Sequence, residues 1–219
     1  MPLIEDTIPN PTPIFRFIHV DNLHIYLRCG GMHAPNFTPD EGLKYKTIHN
    51  VDVQTKRHHA PIPCGPKGVI HDYVPFYFGI LSPMMLNLKT GRVAGYAEGQ
   101  EPLIYLVSTC ESVVKAQIPF VFSDGHGIAS FTKWFEKLAD LDEVDWGMVG
   151  QRYWADNITD MDRQRRKQAE FLIYKFCPWS LIRRIVVIDN TRKAQVEQIL
   201  AGFPEEVRRV VMVKRDWYY

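Results

Sequence analysis

The strongest constraint on the fold is an abrupt change of character between residues 163 and 174. The first half of this stretch carries four cations in five residues, at 163 and 165–167, whereas residues 171–174 are apolar and rich in strand formers. The pattern predicts a solvated segment that leads into a buried strand. Glu170 lies at the junction, where a carboxylate is held rigidly and is partly desolvated, so it is a candidate ligand-binding group. The alternative is a salt bridge to a neighbouring cation, since charge runs usually form solvated faces.

Composition excludes several classes of protein. The 219 residues are 46% hydrophobic and 23% charged, as in an ordinary globule, and we expect one domain, residues 1–219. The net charge of +1 means that nucleic-acid binding would need a local basic patch. Four widely separated cysteines favour free thiols in a reducing compartment. The N-terminus does not resemble a signal peptide and no apolar stretch approaches membrane-spanning length, so we expect a cytoplasmic protein without membrane contact.

The order of the predicted elements favours a mixed α+β fold. About seven short strands often follow one another along the chain, with about four helices between them. Residues 32–68 are rich in Pro and Gly, which predicts a long irregular segment that covers a ligand. The apolar spacing over residues 130–141 predicts a helix. Ser108 with Glu111 matches a capping box, and Thr191 is a predicted cap of a later helix.

No common catalytic motif is present. The sequence has no Walker loop, Rossmann glycine pattern, zinc-protease motif or serine-hydrolase elbow. His58 and His59 are adjacent and have no carboxylate at helical spacing, so we expect no bound metal. Polar residues at predicted strand edges and in loops form the remaining candidate set: His19, Asn22, Arg57, His71, Asp72, Tyr77, His126 and Glu170. Each has a structural explanation alone, but together they suit an anionic, aromatic ligand and group transfer.

Several stretches, in order along nearly the whole chain, resemble one family. They include Ile18-His-Val-Asp-Asn-Leu23, Gly68-Val-Ile-His-Asp-Tyr-Val-Pro-Phe-Tyr-Phe78, Pro119-Phe-Val-Phe-Ser-Asp-Gly-His-Gly127, Lys167-Gln-Ala-Glu-Phe-Leu172 and Asp216-Trp-Tyr-Tyr219. The chain resembles the DarT toxins, which are DNA ADP-ribosyltransferases. The resemblance implies the fold of poly-ADP-ribose polymerases and diphtheria-type toxins, with mixed central sheets and peripheral helices.

The resemblance also implies a reaction and partners. NAD would be the donor of ADP-ribose, and the acceptor would be a base in single-stranded DNA, with thymine favoured over guanine. The toxin would be a monomer, paired with a macrodomain antitoxin that removes ADP-ribose from DNA. RNA or protein acceptors remain alternatives, as does a catalytically inactive module that binds NAD or nucleic acid.

Site residues follow from the matched positions. The catalytic glutamate falls on Glu170, and the catalytic arginine falls on Arg57, in the loop before the strand predicted at residues 69–78. Residues 33–56 would cover NAD, and residues 153–168 would recognise the substrate. The implied NAD-binding set is Arg16, His19, Asn22, Arg57 and Tyr77. The implied DNA-binding set is His126, Tyr153, Trp154, Arg163, Arg165 and Arg166.

One position departs from the family pattern. The family opens with two histidines, of which the first contacts the NAD ribose; Arg16 occupies the place of the first and His19 matches the second. Arginine is larger than histidine and is always charged. We therefore expect either that Arg16 contacts NAD differently or that another group makes the ribose contact.

The residue types agree with the implied chemistry. Cleavage of the bond to nicotinamide builds positive charge on the ribose, which the carboxylate of Glu170 stabilises before accepting the proton of the base. Arg57 suits a phosphate or a base carbonyl. The cations at 163 and 165–167 would form the basic patch, and Tyr153 with Trp154 would stack on bases.

Overall fold

The computed structural model describes residues 7–39, 42 and 44–219, and within them ten strands occur, eight of which form one sheet. The strands are β1 (Pro13–His19), β2 (Gly31–His33), β3 (Tyr73–Tyr77), β4 (Leu103–Thr109), β5 (Phe120–Ser123), β6 (Trp134–Phe135), β7 (Glu170–Tyr174), β8 (Phe176–Pro178), β9 (Arg184–Val187) and β10 (Val210–Val213). The order across the large sheet is β10-β9-β4-β1-β3-β7-β5-β6, and β2 pairs with β8 separately. Neighbours are antiparallel except β9 and β10. The predicted α+β class is confirmed.

Seven α-helices occur in the same described residues. They are α1 (Leu23–Arg28), α2 (Val51–His59), α3 (Pro83–Lys89), α4 (Cys110–Lys115), α5 (Trp146–Gly150), α6 (Arg163–Lys167) and α7 (Asn190–Ala201). None of these helices is long and apolar enough to cross a membrane.

The central strands are buried on both faces. In β1, Ile14 and Ile18 pack into one apolar cluster, whereas Phe15 and Phe17 pack into another on the opposite face. This alternation follows from the pleat, which sends successive side chains to opposite sides of the sheet. All seven residues of β4, the neighbour of β1, are buried. The centre of the sheet is therefore a rigid support for the side chains that leave it at its edges.

The sheet opens between β1 and β3. Within these two strands the ladder pairs Phe15 with Tyr77 alone, whereas β3 pairs with β7 over five residues. Pro75 in the middle of β3 has no N–H to donate across the opening. Its carbonyl accepts a hydrogen bond of 2.8 Å from Nη1 of Arg16 instead. The opening lets Arg16 and Tyr77 line a cavity between the strands.

The helix predicted over residues 130–141 is wrong. Trp134–Phe135 form the edge strand β6, and Leu138–Glu143 form a 3₁₀ turn. The ring of Phe135 stacks on Phe122 of β5, with ring centroids 5.2 Å apart. The aromatic residues have helical spacing in the sequence, but in the structure they pack in a cross-strand pair. Such a pair stabilises aromatic side chains as well as packing on a helix face does.

The segment 32–68 is not irregular throughout, because α2 lies within it. The side chain of Asn50 caps this helix by accepting a hydrogen bond from the backbone N–H of Val53. Arg57 is the one buried residue of α2. The helix lacks the apolar stripe by which a sequence usually reveals a helix. Arg57 is therefore held on a helix, and the prediction that it lies in a loop is wrong.

The predicted helix caps are displaced. Thr109 rather than Ser108 caps α4, and Asp189 rather than Thr191 caps α7, each by accepting a hydrogen bond from a backbone N–H three residues on. The side chain of Glu111 accepts a hydrogen bond from the backbone N–H of Thr12 and does not complete a capping box. These corrections leave the position of the central strands unchanged.

Candidate active site

A buried ion pair between α2 and β7 forms the centre of the site. Arg57 donates from Nη1 to Oε1 of Glu170 at 2.9 Å and from Nη2 to Oε2 at 2.7 Å. The two residues are only 7% and 1% exposed. Glu170 also accepts a hydrogen bond from the backbone N–H of Gly127 at 3.2 Å. The carboxylate is thus oriented by a two-pronged guanidinium and a backbone donor, and its partner is 113 residues away rather than a neighbour in sequence.

The electrostatics of the pair keep both groups charged. Burial raises the pKa of Glu170, but the charge and hydrogen bonds of Arg57 outweigh burial, so the pKa lies below its ordinary value. Burial lowers the pKa of Arg57, and Glu170 more than compensates, so that pKa is raised. A carboxylate that stays ionised in a dry site stabilises nearby positive charge far better than one in water.

Tyr77 and His126 flank the pair and both line the cavity. Tyr77 lies opposite Glu170 in the ladder between β3 and β7 and stacks on Phe17, with ring centroids 6.2 Å apart. Burial raises the pKa of Tyr77, so its hydroxyl stays protonated. Burial lowers the pKa of His126, which favours the neutral ring. Both groups therefore provide hydrogen-bonding surface without adding charge.

A cavity of about 580 Å³ extends from the ion pair along the opening between β1 and β3. This volume lies in the range of small-molecule and cofactor sites. A segment at residues 45–50, just before α2, forms one of its walls. Asn22 holds this segment, because its amide donates to the carbonyl of Lys46 at 2.9 Å and accepts from its N–H at 2.7 Å. Asn22 thus both lines the cavity and fixes the wall.

His19 lies outside the lining of the cavity. It is buried, and its Nε2 is 3.3 Å from a carboxylate oxygen of Glu98. Glu98 also forms an ion pair with Lys46, in the wall of the cavity. The structure therefore connects His19 to the wall through Glu98, and its contact with NAD stays a prediction.

The cationic stretch before Glu170 is not a free basic patch, because three of its four members have partners within the chain, and their contact with DNA stays a prediction. Arg165 forms ion pairs with Asp124 and Asp162, and Arg166 pairs with carboxylates at positions 145, 160 and 162. Lys167 is buried and donates to two backbone carbonyls, and burial lowers its pKa to about 7. These charges are used internally to hold α6 in place.

Arg163 differs from its neighbours. Its guanidinium donates to the backbone carbonyls of Tyr153 at 2.7 Å and Ala155 at 3.0 Å. Within the described part of the chain no carboxylate forms an ion pair with it, in contrast to Arg165. Arg163 is therefore the member of this stretch whose charge is available to a polyanion.

We expect Arg163→Gln to change mainly the binding of DNA and Arg165→Gln to change mainly the stability of the fold. Arg163→Gln should reduce the slope of log affinity for single-stranded DNA against log salt by about one, with a smaller loss of stability than Arg165→Gln because its two hydrogen bonds are exposed. Arg165→Gln should lower the free energy of unfolding by about 1–3 kcal/mol, because the ion pairs with Asp124 and Asp162 are lost. Fluorescence anisotropy over a salt series and thermal melting measure the two effects. An unchanged slope for Arg163→Gln would exclude a phosphate contact there.

Tyr153 and Trp154 also separate in the structure. Tyr153 is 81% exposed. Trp154 is half-buried, and its Nε1 donates to the hydroxyl of Tyr219 at 2.6 Å. That hydroxyl in turn donates to the carbonyl of Leu81. These contacts favour Trp154 as an anchor of the segment that precedes α6. Tyr153 is then the ring that is free to stack on a base.

We expect Tyr153→Ala to weaken binding of single-stranded DNA by roughly 1–3 kcal/mol, the usual value for loss of a stacked base. Its melting temperature should stay close to that of the wild type, because the ring is exposed. Trp154→Phe should instead lower the free energy of unfolding by about 1 kcal/mol through loss of one hydrogen bond. Anisotropy and calorimetry on the two variants distinguish the roles, and a destabilised Tyr153→Ala protein would contradict the assignment.

Two glutamines that the sequence did not reveal also line the cavity. Gln164 and Gln168 lie in and just after α6, and the side chain of Gln168 donates to the carbonyl of Gln164 at 3.0 Å. Their spacing of four residues places them on one helical face. That spacing, immediately before Glu170, is the signal from which they were predictable.

Comparison with known proteins places this geometry in a family. Residues 15–219 match the family model described as DarT, ssDNA thymidine ADP-ribosyltransferase. The chain belongs to the DarT family. A relative from Thermus sp. (strain 2.9), described as a DNA ADP-ribosyl transferase, is 43% identical over 99% of this chain and 100% of its own length.

Solved structures of a DarT protein agree with the assignment. Thermus sp. 2.9 DarT in complex with ADP-ribosylated ssDNA superposes with a TM-score of 0.91 at 42% identity, covering 97% of this chain and 99% of that chain. The same protein in complex with NAD+ gives a TM-score of 0.88 at 42% identity, covering 97% and 100%. The predicted DarT family, the ADP-ribosyltransferase fold and the transferase class are therefore confirmed.

Proposed function

We propose that this DarT-family chain transfers ADP-ribose from NAD to a thymine base in single-stranded DNA, at the pair formed by Arg57 and Glu170. The observation that carries the proposal is the buried, doubly hydrogen-bonded ion pair on the wall of a cavity of about 580 Å³. Strands from both ends of the chain enter the large sheet, which supports one transferase domain over residues 1–219.

NAD is proposed to lie along the opening between β1 and β3. Arg16, Tyr77 and Arg57 line this space, and Asn22 fixes its wall at Lys46. The nicotinamide ribose is placed against Glu170, where the carboxylate can contact ribose hydroxyls. A site that holds the donor in this way converts the transfer into a reaction between positioned groups, which lowers its entropic cost.

The proposed reaction is a substitution at the anomeric carbon of the nicotinamide ribose. The bond from this carbon to the nicotinamide nitrogen breaks, and its electron pair neutralises the leaving pyridinium ring. Positive charge then develops on the ribose, and the ionised carboxylate of Glu170 stabilises it. Thymine N3, which carries the one N–H of this base in DNA, forms the new bond to the carbon.

The proton on thymine N3 is proposed to pass to Glu170. While Arg57 holds the carboxylate, the pKa of Glu170 is low and the group is a weak base. If the guanidinium of Arg57 turns to a thymine carbonyl, it stabilises the negative charge that develops on the base. The same movement removes the principal cation from Glu170 and raises the pKa of the carboxyl, which suits proton transfer.

A single-stranded acceptor agrees with the position of the pair. Glu170 is buried, so a base must leave its stack to reach the ribose beside it. Tyr153 is exposed on the segment that precedes α6, and Arg163 carries its charge at the first residue of α6, where an unstacked strand can bind them. His126 lines the cavity beside Glu170 and is a candidate contact for the entering base.

The test is incubation of the chain with NAD and short oligonucleotides, read by mass spectrometry. We expect the mass of one ADP-ribose to be added to a single-stranded oligonucleotide that has one thymine among adenines. The same thymine in a duplex, and matched oligonucleotides with guanine or cytosine, should stay unmodified. Modification of the guanine oligonucleotide in preference to the thymine oligonucleotide would overturn the choice of base.

We further propose that the chain acts as a toxin and as a monomer, restrained by a macrodomain antitoxin that removes ADP-ribose from DNA. The support is the resemblance to DarT toxins described above. Induced expression of the wild type should stop bacterial growth, whereas Glu170→Gln should not. Equal growth with the two proteins, at equal protein levels, would refute the toxin role.

A further inference from the structure

Arg16 carries a positive charge into the cavity without a counter-charge. It lies in β1, and Nη1 donates to the carbonyl of Pro75 at 2.8 Å. Its Nε is closed off from solvent and has no hydrogen-bond partner. Within residues 7–39, 42 and 44–219, no ion pair includes Arg16. A cation that lines a cavity without an ion-pair partner is compensated when an anionic ligand binds beside it.

The cavity as a whole is electropositive. Among the described residues that line it, four side chains are permanent cations and the one carboxylate is Glu170. Arg57 neutralises that carboxylate, and Lys46 forms an ion pair with Glu98. Among the residues that the structure describes, two lining cations have no carboxylate partner, the partly buried Arg16 and the exposed Arg92. The arrangement suits an anion, and Arg16 is the cation that reaches the interior.

The surroundings of Arg16 do not neutralise it. His49 lies in the wall formed by residues 45–50, and burial together with the charge of Arg16 lowers the pKa of its ring. His49 is therefore neutral at ordinary pH and adds neither a counter-charge nor a competing cation. Arg16 lines the cavity, and a guanidinium is a strong hydrogen-bond donor to phosphate.

We propose that Arg16 binds the pyrophosphate of the dinucleotide co-substrate, an inference that rests on the proposed use of NAD. A ribose hydroxyl would satisfy one donor of Arg16 but would leave its charge unbalanced. A phosphate supplies both the acceptors and the counter-charge, and the pyrophosphate of NAD carries two negative charges. Arg16 is thus a determinant of affinity for the donor, separate from the pair that performs the chemistry.

The first test is calorimetric binding of ADP-ribose, which keeps both phosphates and lacks nicotinamide. We expect Arg16→Gln to weaken binding about tenfold or more, the value of one charged hydrogen-bonded contact. Arg92→Gln removes the exposed cation of the same cavity and is the matched control, for which the loss should be roughly twofold or less. Raising the salt concentration should weaken binding to the wild type more than binding to Arg16→Gln.

The second test is thermal melting with and without ADP-ribose. Without ligand, Arg16→Gln should melt close to the wild-type temperature, because it removes an unpartnered buried donor together with the hydrogen bond to the carbonyl of Pro75. The rise in melting temperature on adding ADP-ribose should shrink in Arg16→Gln and recover in part in Arg16→Lys, which keeps the charge. A purely structural Arg16 would give the reverse pattern, a lower melting temperature and an unchanged ligand-induced rise.

The outcomes separate the two proposals. Tight binding of ADP-ribose to the wild type with equal binding to Arg16→Gln would overturn the assignment of Arg16 alone. A larger loss in Arg92→Gln than in Arg16→Gln would also overturn it. A wild type that binds neither ADP-ribose nor NAD would overturn both this inference and the proposed function. If Arg16→Gln fails to fold, the comparison of Arg16→Lys with the wild type decides, since a single ammonium should still lose several-fold in affinity.

Discussion

Glu170→Gln is expected to lower the rate of ADP-ribose transfer by roughly 10²–10³-fold, the value typical of removing one preorganised electrostatic contact. Glutamine keeps the shape of the side chain and an acceptor for Arg57, so the fold is retained. It lacks the negative charge that stabilises the developing ribose cation, and it cannot accept the proton of thymine N3. The measurement is the initial rate of modification of a thymine oligonucleotide, with NAD in excess.

A matched control tests whether the loss of rate is specific to Glu170. Glu197 is a carboxylate on α7 that makes only a loose contact with Lys193, at 3.8 Å on the protein surface. Glu197→Gln removes the same charge and should leave the rate unchanged. A Glu170→Gln protein that works at the wild-type rate would remove Glu170 from the reaction.

The second large effect is on stability. Arg57→Met leaves the carboxylate of Glu170 buried without its cation, and we expect the free energy of unfolding to fall by about 3–5 kcal/mol. Glu170→Leu leaves Arg57 equally isolated and should cost a similar amount. The double variant removes both charges and should recover much of the loss, because a buried ion pair is often replaceable by apolar groups. Urea denaturation of the four proteins forms a double-mutant cycle.

An additive cycle would contradict the coupling of the pair. If each single variant and the double variant lose stability independently, the contact between Arg57 and Glu170 is energetically unimportant in solution. The same four proteins separate stability from catalysis, since we expect the double variant to be folded and inactive.

The pH dependence of stability has a defined sign. The pKa of Glu170 in the folded chain lies below its ordinary value, since Arg57 outweighs burial. The contribution of Glu170 to the free energy of unfolding is therefore complete above the ordinary glutamate pKa. It is lost as the pH falls through the lower pKa that Glu170 has in the folded chain. The wild type should lose more stability on acidification over this window than the Arg57→Met/Glu170→Leu protein. Equal acid sensitivity of the two proteins would contradict the lowered pKa.

The sequence was informative where one local signal dominated. The polar-to-apolar change at Glu170 predicted β7, which the structure contains, and the apolar runs at residues 185–188 and 210–213 are local signals of the same kind that fall on β9 and β10. A strand that is buried on both faces is mostly apolar, so its signal is local. The role of Glu170 as a carboxylate held at the entry to a strand was predictable for the same reason.

The errors arose where the deciding contact is distant in sequence. The cations of α6 look like a free patch in part because Asp124, one of two partners of Arg165, is 41 residues away, although the other partner, Asp162, is three residues away. Asp145, a partner of Arg166, is 21 residues away. Similarly, α2 has no apolar stripe because its one buried residue is Arg57, whose partner lies on β7. Charge compensation and helix docking of this kind are tertiary effects that no local pattern reports.

The central claim, attack by thymine N3 with transfer of its proton to Glu170, is tested most directly with an oligonucleotide in which this nitrogen is methylated. An oligonucleotide with a single N3-methylthymidine has the thymine ring but lacks the N–H from which a proton must leave. With wild-type protein and NAD, we expect mass spectrometry to detect ADP-ribose on the thymidine oligonucleotide and none on its methylated counterpart. Transfer to the methylated oligonucleotide would contradict attack by thymine N3 and the role of Glu170 as the acceptor of its proton.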